Sequence, residues 1–425
     1  MRILIVNTSE NSGGAAVAAH RLMEALNNNG EKAKMLVCDK QTDDISVVQL
    51  PHSWKQRWHF LRERLAIFRR LHFKRENLFR LDIANSGTDI TRLKEFKEAD
   101  IIHLHWINQG MLSLKDIRKI VDSGKPVVWT MHDAWPTTAI CHVTLGCKSY
   151  QNQCHHCKYL PGHGSKNDLS AQVWSRKKRL LAKAHIYFVA CSRWLEAEAK
   201  KSALLKGQQI TNIPNPIDTQ TFKPGNRSEA RLQLKLPQEK KLLLFAAQKV
   251  TDELKGIQYL EEACRHLAAQ QPELKEKVAL VILGGNSEEY TFNTHGFEVR
   301  PVTYTSDTHT LVRLFQAADA FILPSLSENL PNTIMEALAC GIPCIGFKVG
   351  GIPEMIDHKK NGYVAKYKDA EDLAEGIRWT LTEADSDSLA AEARSKVHRK
   401  YSQQSVALDY IEVYNEALLF KKLKI

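Results

Sequence analysis

The segment from Ser325 to Pro343 carries two carboxylates, Glu328 and Glu336, on either side of a helix start. An apolar strand ends at Leu323-Pro324, a polar loop holds Glu328, Pro331 suits the first turn of a helix, and Gly341 suits its end. Backbone N–H groups left unpaired at such a helix start can hold a diphosphate. A carboxylate accepts hydrogen bonds from paired sugar or ribose hydroxyls, so the chemistry on offer is recognition of a nucleotide sugar. The competing reading is an ordinary helix with an acidic neighbour and a solvated Glu336.

His132, in Thr130-Met131-His132-Asp133-Ala134-Trp135-Pro136, follows a strand-like run, and functional side chains in open α/β sheets collect at strand carboxyl ends. A structural, hydrogen-bonding histidine is the alternative. His103 and His105 alternate with Leu104 and point to the opposite face from it, which leaves a place in a substrate site and a packing role equally open. Cys141, Cys147, Cys154 and Cys157, interspersed with His142, His155 and His156, are dense enough to enclose a tetrahedral structural Zn. A long loop with free thiols accounts for them equally well.

Residues 53–80 present Trp54, Trp58, Leu61, Leu65 and Phe68 at spacings of four, three, four and three, with nine Lys or Arg against Glu63 and Glu76. Such a segment reads as an interfacial helix with aromatics among headgroups and basic side chains on anionic lipid phosphates. It reads also as a helix packed on its own domain with a solvated basic face. No helix-turn-helix, zinc-finger or single-strand motif accompanies it, so no specific nucleic acid is expected as partner.

These residues need a scaffold. Short apolar strands alternate with helical patterns along the chain: Arg2 to Asn7, Lys34 to Cys38, Ile101 to Leu104, Val127 to Met131 and Ile186 to Ala190, then Leu242 to Ala247, Val278 to Leu283, Ala320 to Leu323 and Pro343 to Phe347. That alternation predicts parallel sheets with helices on both faces. Pro214, Pro216 and Pro224 interrupt the pattern and mark a hinge, giving domains 1–213 and 214–402 whose strand ends are expected to surround a cleft.

The 425 residues are 43% apolar and 25% charged, which suits a globular chain of two or three domains and excludes collagenous or mostly disordered classes. No stretch reaches the roughly 18 apolar residues of a membrane span, and the N-terminus lacks a signal-peptide pattern. With an odd number of cysteines, nine, a cytoplasmic location is expected. Residues 1–215 hold 33 basic and 19 acidic side chains while residues 216–425 hold 26 and 29, so the first half alone is suited to an anionic partner. Gly13-Gly14 lacks the glycine spacing of a dinucleotide fold, which argues against an NAD enzyme.

Taken together, the glutamates Glu328 and Glu336, the run Ala337-Leu338-Ala339-Cys340-Gly341-Ile342-Pro343, and Gly350-Gly351-Ile352-Pro353-Glu354 resemble the donor signature of the family-4 retaining glycosyltransferases of GT-B fold. The resemblance extends through Gly13-Gly14, His132-Asp133, Asn215-Pro216-Ile217-Asp218, Lys255-Gly256 and Gly284-Gly285. It implies an α/β protein of two Rossmann-like parallel-sheet domains facing each other across a cleft, the first acceptor-side and the second donor-binding, with a C-terminal helix over 403–425 packing back on the first.

The same resemblance implies catalytic roles for His132 beside the transferred sugar, Glu328 on that sugar and Lys255 on the leaving diphosphate. Donor binding would involve Gly13, Gly14, Gly285, Leu330, Pro331, Asn332 and, on the ribose, Glu336. The family usually pairs the lysine with an arginine a few residues earlier. Here Ala246-Ala247-Gln248-Lys249 offers only Lys249, which lacks the bidentate fork.

The implied reaction moves a sugar from a nucleoside-diphosphate sugar to a glycan or lipid-linked oligosaccharide acceptor in cell-surface polysaccharide biosynthesis. It needs no catalytic metal and proceeds at the inner face of an anionic membrane that residues 53–80 would touch. The alternatives are a nucleotide-sugar epimerase, a phosphorylase, or a non-catalytic membrane- or RNA-associated binding protein.

Overall fold

The computed structural model describes residues 1–423. The chain divides into two compact units, Met1–Pro216 joined by the C-terminal residues from Val406, and Ile217–Ser405.

The first unit contains strands β1 (Arg2–Val6), β2 (Lys32–Val37), β3 (Val47–Gln49), β4 (Ile101–Leu104), β5 (Val127–Met131), β6 (Ile186–Ala190) and β7 (Gln209–Asn212). They form one sheet in the order β3-β2-β1-β4-β5-β6-β7, every pair parallel. Central strands are buried on both faces, which is why β4, β5 and β6 read as unbroken apolar runs apart from one histidine and one threonine.

One face of this sheet carries Leu4, Val6, Ile102, Leu104 and Trp129 in the larger core. The other carries Ile3, Ile5, Ile101 and Val128 against the helix Gly14–Asn28 and the C-terminal helix Gln403–Leu423. Val406, Ala407, Tyr410, Val413, Tyr414 and Ala417 form the buried stripe of that C-terminal helix, at the three-and-four spacing of a helical face. Each large apolar side chain buried this way stabilises by about 1.5–3 kcal/mol. Residues 424 and 425 of the expected 403–425 helix lie outside the described residues.

The second unit contains β8 (Lys241–Lys249), β9 (Val278–Gly285), β10 (Glu298–Val302), β11 (Ala320–Leu323), β12 (Cys344–Phe347) and β13 (Gly362–Ala365). Their order is β10-β9-β8-β11-β12-β13, again all parallel. Both sheets are therefore doubly wound, with the chain reversing direction of travel beside β1 in one and β8 in the other; ligands in such sheets bind beyond the carboxyl ends of the strands.

Ser53–Arg70 is a helix, but its apolar stripe does not pack into the core. Trp54 is 65% exposed, Trp58 60%, Leu61 58% and Leu65 46%, whereas Gln56, Glu63, Arg64 and Ile67 are buried. The helix is packed on its own domain, but through Ile67 and specific polar bonding and not through the apolar stripe. The Glu63 carboxylate accepts from the backbone N–H of Ile83 (2.9 Å) and Ala84 (2.6 Å), and Gln56 Nε2 donates to Thr88 Oγ1 (2.9 Å). Arg64 bonds Asp82 and the carbonyl of Leu78. Among the described residues no helix is long and apolar enough to cross a membrane.

Candidate active site

Three loops leave the carboxyl ends of β8, β11 and β12 and converge through the backbone. The first closes a turn at Glu253–Lys255, with Gly256 at φ 72°. The amide of Leu326, in the second loop, donates to the carbonyl of Leu254 at 2.8 Å. A Cβ on Gly256 would lie 1.9 Å from the carbonyl oxygen of Pro324, and one on Gly350, at φ 55°, would lie 1.7 Å from that of Glu328. Only glycine permits both the left-handed backbone and the close approach at these two positions.

The result is a 2.6 Å ion pair between Lys255 Nζ and Glu328 Oε1. Burial works against the Lys255 ammonium, but the charge of Glu328 outweighs it and holds the lysine pKa above its usual value. Downstream, Leu330 and Pro331 are buried and Pro331 occupies the cap position of the helix Asn332–Ala339, one residue before the first turn in which the sequence pattern puts it. Glu336 is buried at 6% exposure, which rules out a solvated helix-face residue. Gly285 ends β9, where its Cα sits close enough to β8 that an added Cβ would be 3.0 Å from the carbonyl of Gln248. Lys249, beyond a register shift in β8, is exposed.

In the first unit, Gly13 (φ 92°) precedes the helix Gly14–Asn28. The loop before it is tied down by Glu10, a fully buried carboxylate that accepts from Thr42 N–H at 3.0 Å and from the Gln41 N–H and Thr42 hydroxyl. His132 stands just past β5, with its Nε2 2.9 Å from His105 Nδ1 and its Nδ1 3.6 Å from Cys191 Sγ. Burial depresses the His132 pKa to about 4, against the opposing pull of Asp133, so the ring is neutral at physiological pH.

His142 behaves in the opposite way. Its Nδ1 lies 2.7 Å from Asp133 Oδ2 and its Nε2 2.6 Å from Asp82 Oδ2. Burial opposes its charge, but Asp133 and Asp82 raise its pKa to about 10, so it is an imidazolium bridging two carboxylates. Asp133 also accepts from Trp106 Nε1 (2.9 Å) and from the Trp135 N–H (2.8 Å). Glu63, Arg64, Asp82 and Cys191 take part in this network without any local sequence motif to announce them.

The expected structural Zn site at Cys141, Cys147, Cys154 and Cys157 is not formed: among the described residues no group of three or more His, Cys, Asp or Glu side chains is placed to hold a metal ion. His142 is committed to its two aspartates. Cys154 is buried in the first core, and Cys141 and Cys157 pack against that core.

Comparison with known proteins identifies the class. A family model for Glycosyltransferase Family 4 matches residues 12–221, and one for Glycosyl transferases group 1 matches residues 226–397. The fold is that of solved GT-B glycosyltransferases: one from Rickettsia africae superposes with a TM-score of 0.64 at 17% identity, covering 98% of each chain. Anabaena HepE, solved in complex with UDP-glucose, gives 0.60 at 16%, covering 98% of this chain and 100% of that one.

This chain belongs to the family-4 type of GT-B glycosyltransferases. Among curated relatives, D-inositol 3-phosphate glycosyltransferase of Saccharomonospora viridis is 25% identical over 219 residues, 49% of this chain and 50% of that protein. The chain thus spans about half the length of the curated relatives it first matches. The Escherichia coli protein named putative colanic acid biosynthesis glycosyl transferase WcaC aligns over more: 25% identity across 74% of this chain and 76% of its own.

Proposed function

We propose that this glycosyltransferase moves a sugar from a nucleoside-diphosphate sugar, with retention of anomeric configuration, to a glycan or lipid-linked oligosaccharide in surface polysaccharide assembly. The observation that carries the reading is the Lys255–Glu328 pair, held at strand carboxyl ends by two glycines that tolerate no side chain. The solved complex of HepE with UDP-glucose and the naming of WcaC for colanic acid biosynthesis support the donor and acceptor classes.

In this reading Lys255 neutralises the departing diphosphate, and its three donors let it hold a phosphate oxygen and Glu328 together. Glu328 accepts from hydroxyls of the transferred sugar, which fixes the ring for departure. Glu336 takes the ribose, the amides beside Leu330, Pro331 and Asn332 meet the diphosphate, and Gly13, Gly14, Gly285 and Lys249 complete the donor contacts. The first unit contributes His132. A neutral imidazole suits a reaction that builds positive charge on the sugar, because a protonated ring would repel the oxocarbenium-like transition state.

The exposed face of Ser53–Arg70 extends the proposal to the acceptor. Trp54, Trp58, Leu61 and Leu65 stand outward among Lys55, Arg57, Arg62, Arg69 and Arg70, a composition suited to docking on the anionic inner face of a membrane that carries a lipid-linked acceptor.

A thermal-shift screen of nucleotide sugars tests the donor. A ligand at about 100 times its Kd stabilises by about 2.7 kcal/mol, and the responsive donor is expected to lose that effect in Lys255→Ala. No response to any nucleoside diphosphate or its sugars, with no donor hydrolysis, would overturn the reading. Proton NMR of the product linkage decides retention.

A further inference from the structure

Five imidazole and hydroxyl groups lead from the C-terminal helix to His132 through the interior of the first unit. Tyr414 OH lies 2.7 Å from His103 Nδ1, His103 Nε2 lies 2.7 Å from Thr130 Oγ1, and Thr130 Oγ1 lies 2.9 Å from Tyr410 OH. The His103 ring packs on that of His105 with centroids 4.2 Å apart, and His105 stacks on His132 at 5.2 Å and 28°. Both His103 and His105 are buried, at 0% and 3% exposure. Because β4, β5 and β6 are adjacent, the positions just past their ends bring His105, His132 and Cys191 side by side.

We propose that His105 is a positioning residue that fixes His132 as the Nδ1–H tautomer, with its ring plane set by the stack. The geometry gives the direction. His105 Nε2 is buried without a partner, while its Nδ1 faces His132 Nε2. A buried N–H left unpaired is rarer than a buried acceptor left unpaired, so the single proton of neutral His105 sits on Nδ1 and is donated to His132. His132 Nε2 is then the acceptor, and its own proton resides on Nδ1, on the side of Cys191. Burial keeps His105 and His103 neutral, in keeping with one proton per ring. Which nitrogen of a histidine carries its proton is set by what the other one bonds. Tyr414 and Tyr410 brace the chain by holding His103 and Thr130, so the C-terminal helix supports the orientation of a residue more than 270 positions earlier.

The inference rests on the transferase reading only for its effect on activity. Nitrogen-15 NMR of histidine-labelled protein, with the His132 resonances assigned by difference from His132→Ala, is expected to show Nδ1 protonated and Nε2 bare. An Nε2–H tautomer in the parent overturns the proposal, whatever the variants do.

His105→Asn keeps an amide donor near the Nδ1 position and is expected to preserve the His132 tautomer. His105→Gln carries its donor near the Nε2 position and is expected to lose it, with kcat falling about tenfold and donor KM unchanged. Equal tautomer populations in the two variants would also overturn it. If His132→Ala leaves transfer intact, the catalytic reading of His132 falls, while the tautomer measurement still decides the role of His105.

Discussion

The two units assemble their candidate functional residues from different materials. In the second, backbone does the positioning: Gly256 against Pro324 and Gly350 against Glu328 bring three loops into contact, and one ion pair results. In the first, side chains do it. His132 is held by another histidine, and the adjacent Asp133 is held by a cationic His142 and two tryptophan-derived N–H groups. A backbone-built site is sensitive to the addition of a single methyl group. A side-chain-built site depends on which nitrogens carry protons.

The largest expected effect lies in the second unit. Lys255→Ala and Glu328→Gln should each lower kcat by about 10²–10³, since each removes charge aimed at the reacting group. Melting temperatures close to the parent's are needed alongside the kinetics, and near-normal turnover in both variants would remove the site from this unit.

Next come the glycines. Gly350→Ala should cost several kcal/mol or unfold the loop, because its Cβ would meet the Glu328 carbonyl at 1.7 Å. Gly13→Ala also meets a positive φ, 92°, but nothing within 4 Å, so it should cost only about 1–2 kcal/mol. Chemical denaturation of both variants ranks them, and the reverse order would show that close approach is not what the second unit depends on.

The two faces of the helix Ser53–Arg70 sharpen the same contrast within one element. Arg64→Ala leaves Glu63 without its buried cation and Asp82 with the His142 imidazolium alone, and should destabilise by about 3 kcal/mol. Burial, then the Asp82 charge, already push the Glu63 pKa up to about 7 against the pull of Arg64. Trp54→Ala with Trp58→Ala should change stability by less than about 0.5 kcal/mol per site yet weaken sedimentation with anionic vesicles in a salt-dependent way. Unchanged vesicle binding in that double variant would leave the exposed aromatics without the proposed partner.

The pH dependence sets two histidines of the first unit against each other. His142 has a folded pKa of about 10 against an ordinary 6.5, so its stabilising contribution is complete below about 6.5 and is lost as pH rises through 10. His132, depressed to about 4, has the reverse sign: its contribution is present above 6.5 and is lost as pH falls through 4. Lys177, buried with Nζ 3.2 Å from the centroid of the Trp135 ring and lowered by burial to about 7, also opposes His142 on the alkaline side. The melting temperature of the parent minus that of His142→Gln, followed from pH 6.5 to 10, isolates the His142 contribution and should shrink as pH rises. A constant difference would mean that His142 is not charged in the fold.

Much of the scaffold is legible in the sequence because central strands of parallel sheets are apolar on both faces. Runs such as Ile101 to Leu104, Val127 to Met131 and Ala320 to Leu323 coincide with β4, β5 and β11. The strands that the pattern does not reveal are β3, β7, β10 and β13, and all four are sheet edges. An edge strand is paired on one side only; Gln209–Asn212 and Glu298–Val302 are polar and partly exposed, so neither alternation nor a continuous apolar run marks them.

Glu328, Glu336 and Lys255 are visible for a related reason: each lies in a short strand–loop–helix stretch, where glycine and proline punctuate local backbone geometry. The chemistry around His132 has no such local sign. His105 and Cys191 meet there, Tyr414 reaches the chain through His103 from 311 positions away, and the cysteine-rich segment, whose composition suggests a metal, supplies thiols packed at the core and one imidazolium instead.

By itself, then, the sequence determined two parallel α/β sheets, their central strands and the motif at the ends of β8 and β11, because these follow from periodicity and from residues near one another in the chain. Only the tertiary structure decided which face of Ser53–Arg70 is buried, which polar groups the buried histidines face, and that the C-terminal helix reaches back to Thr130 and His103. Burial and the choice of a polar partner depend on what other segments bring to the same place, and no local pattern encodes that.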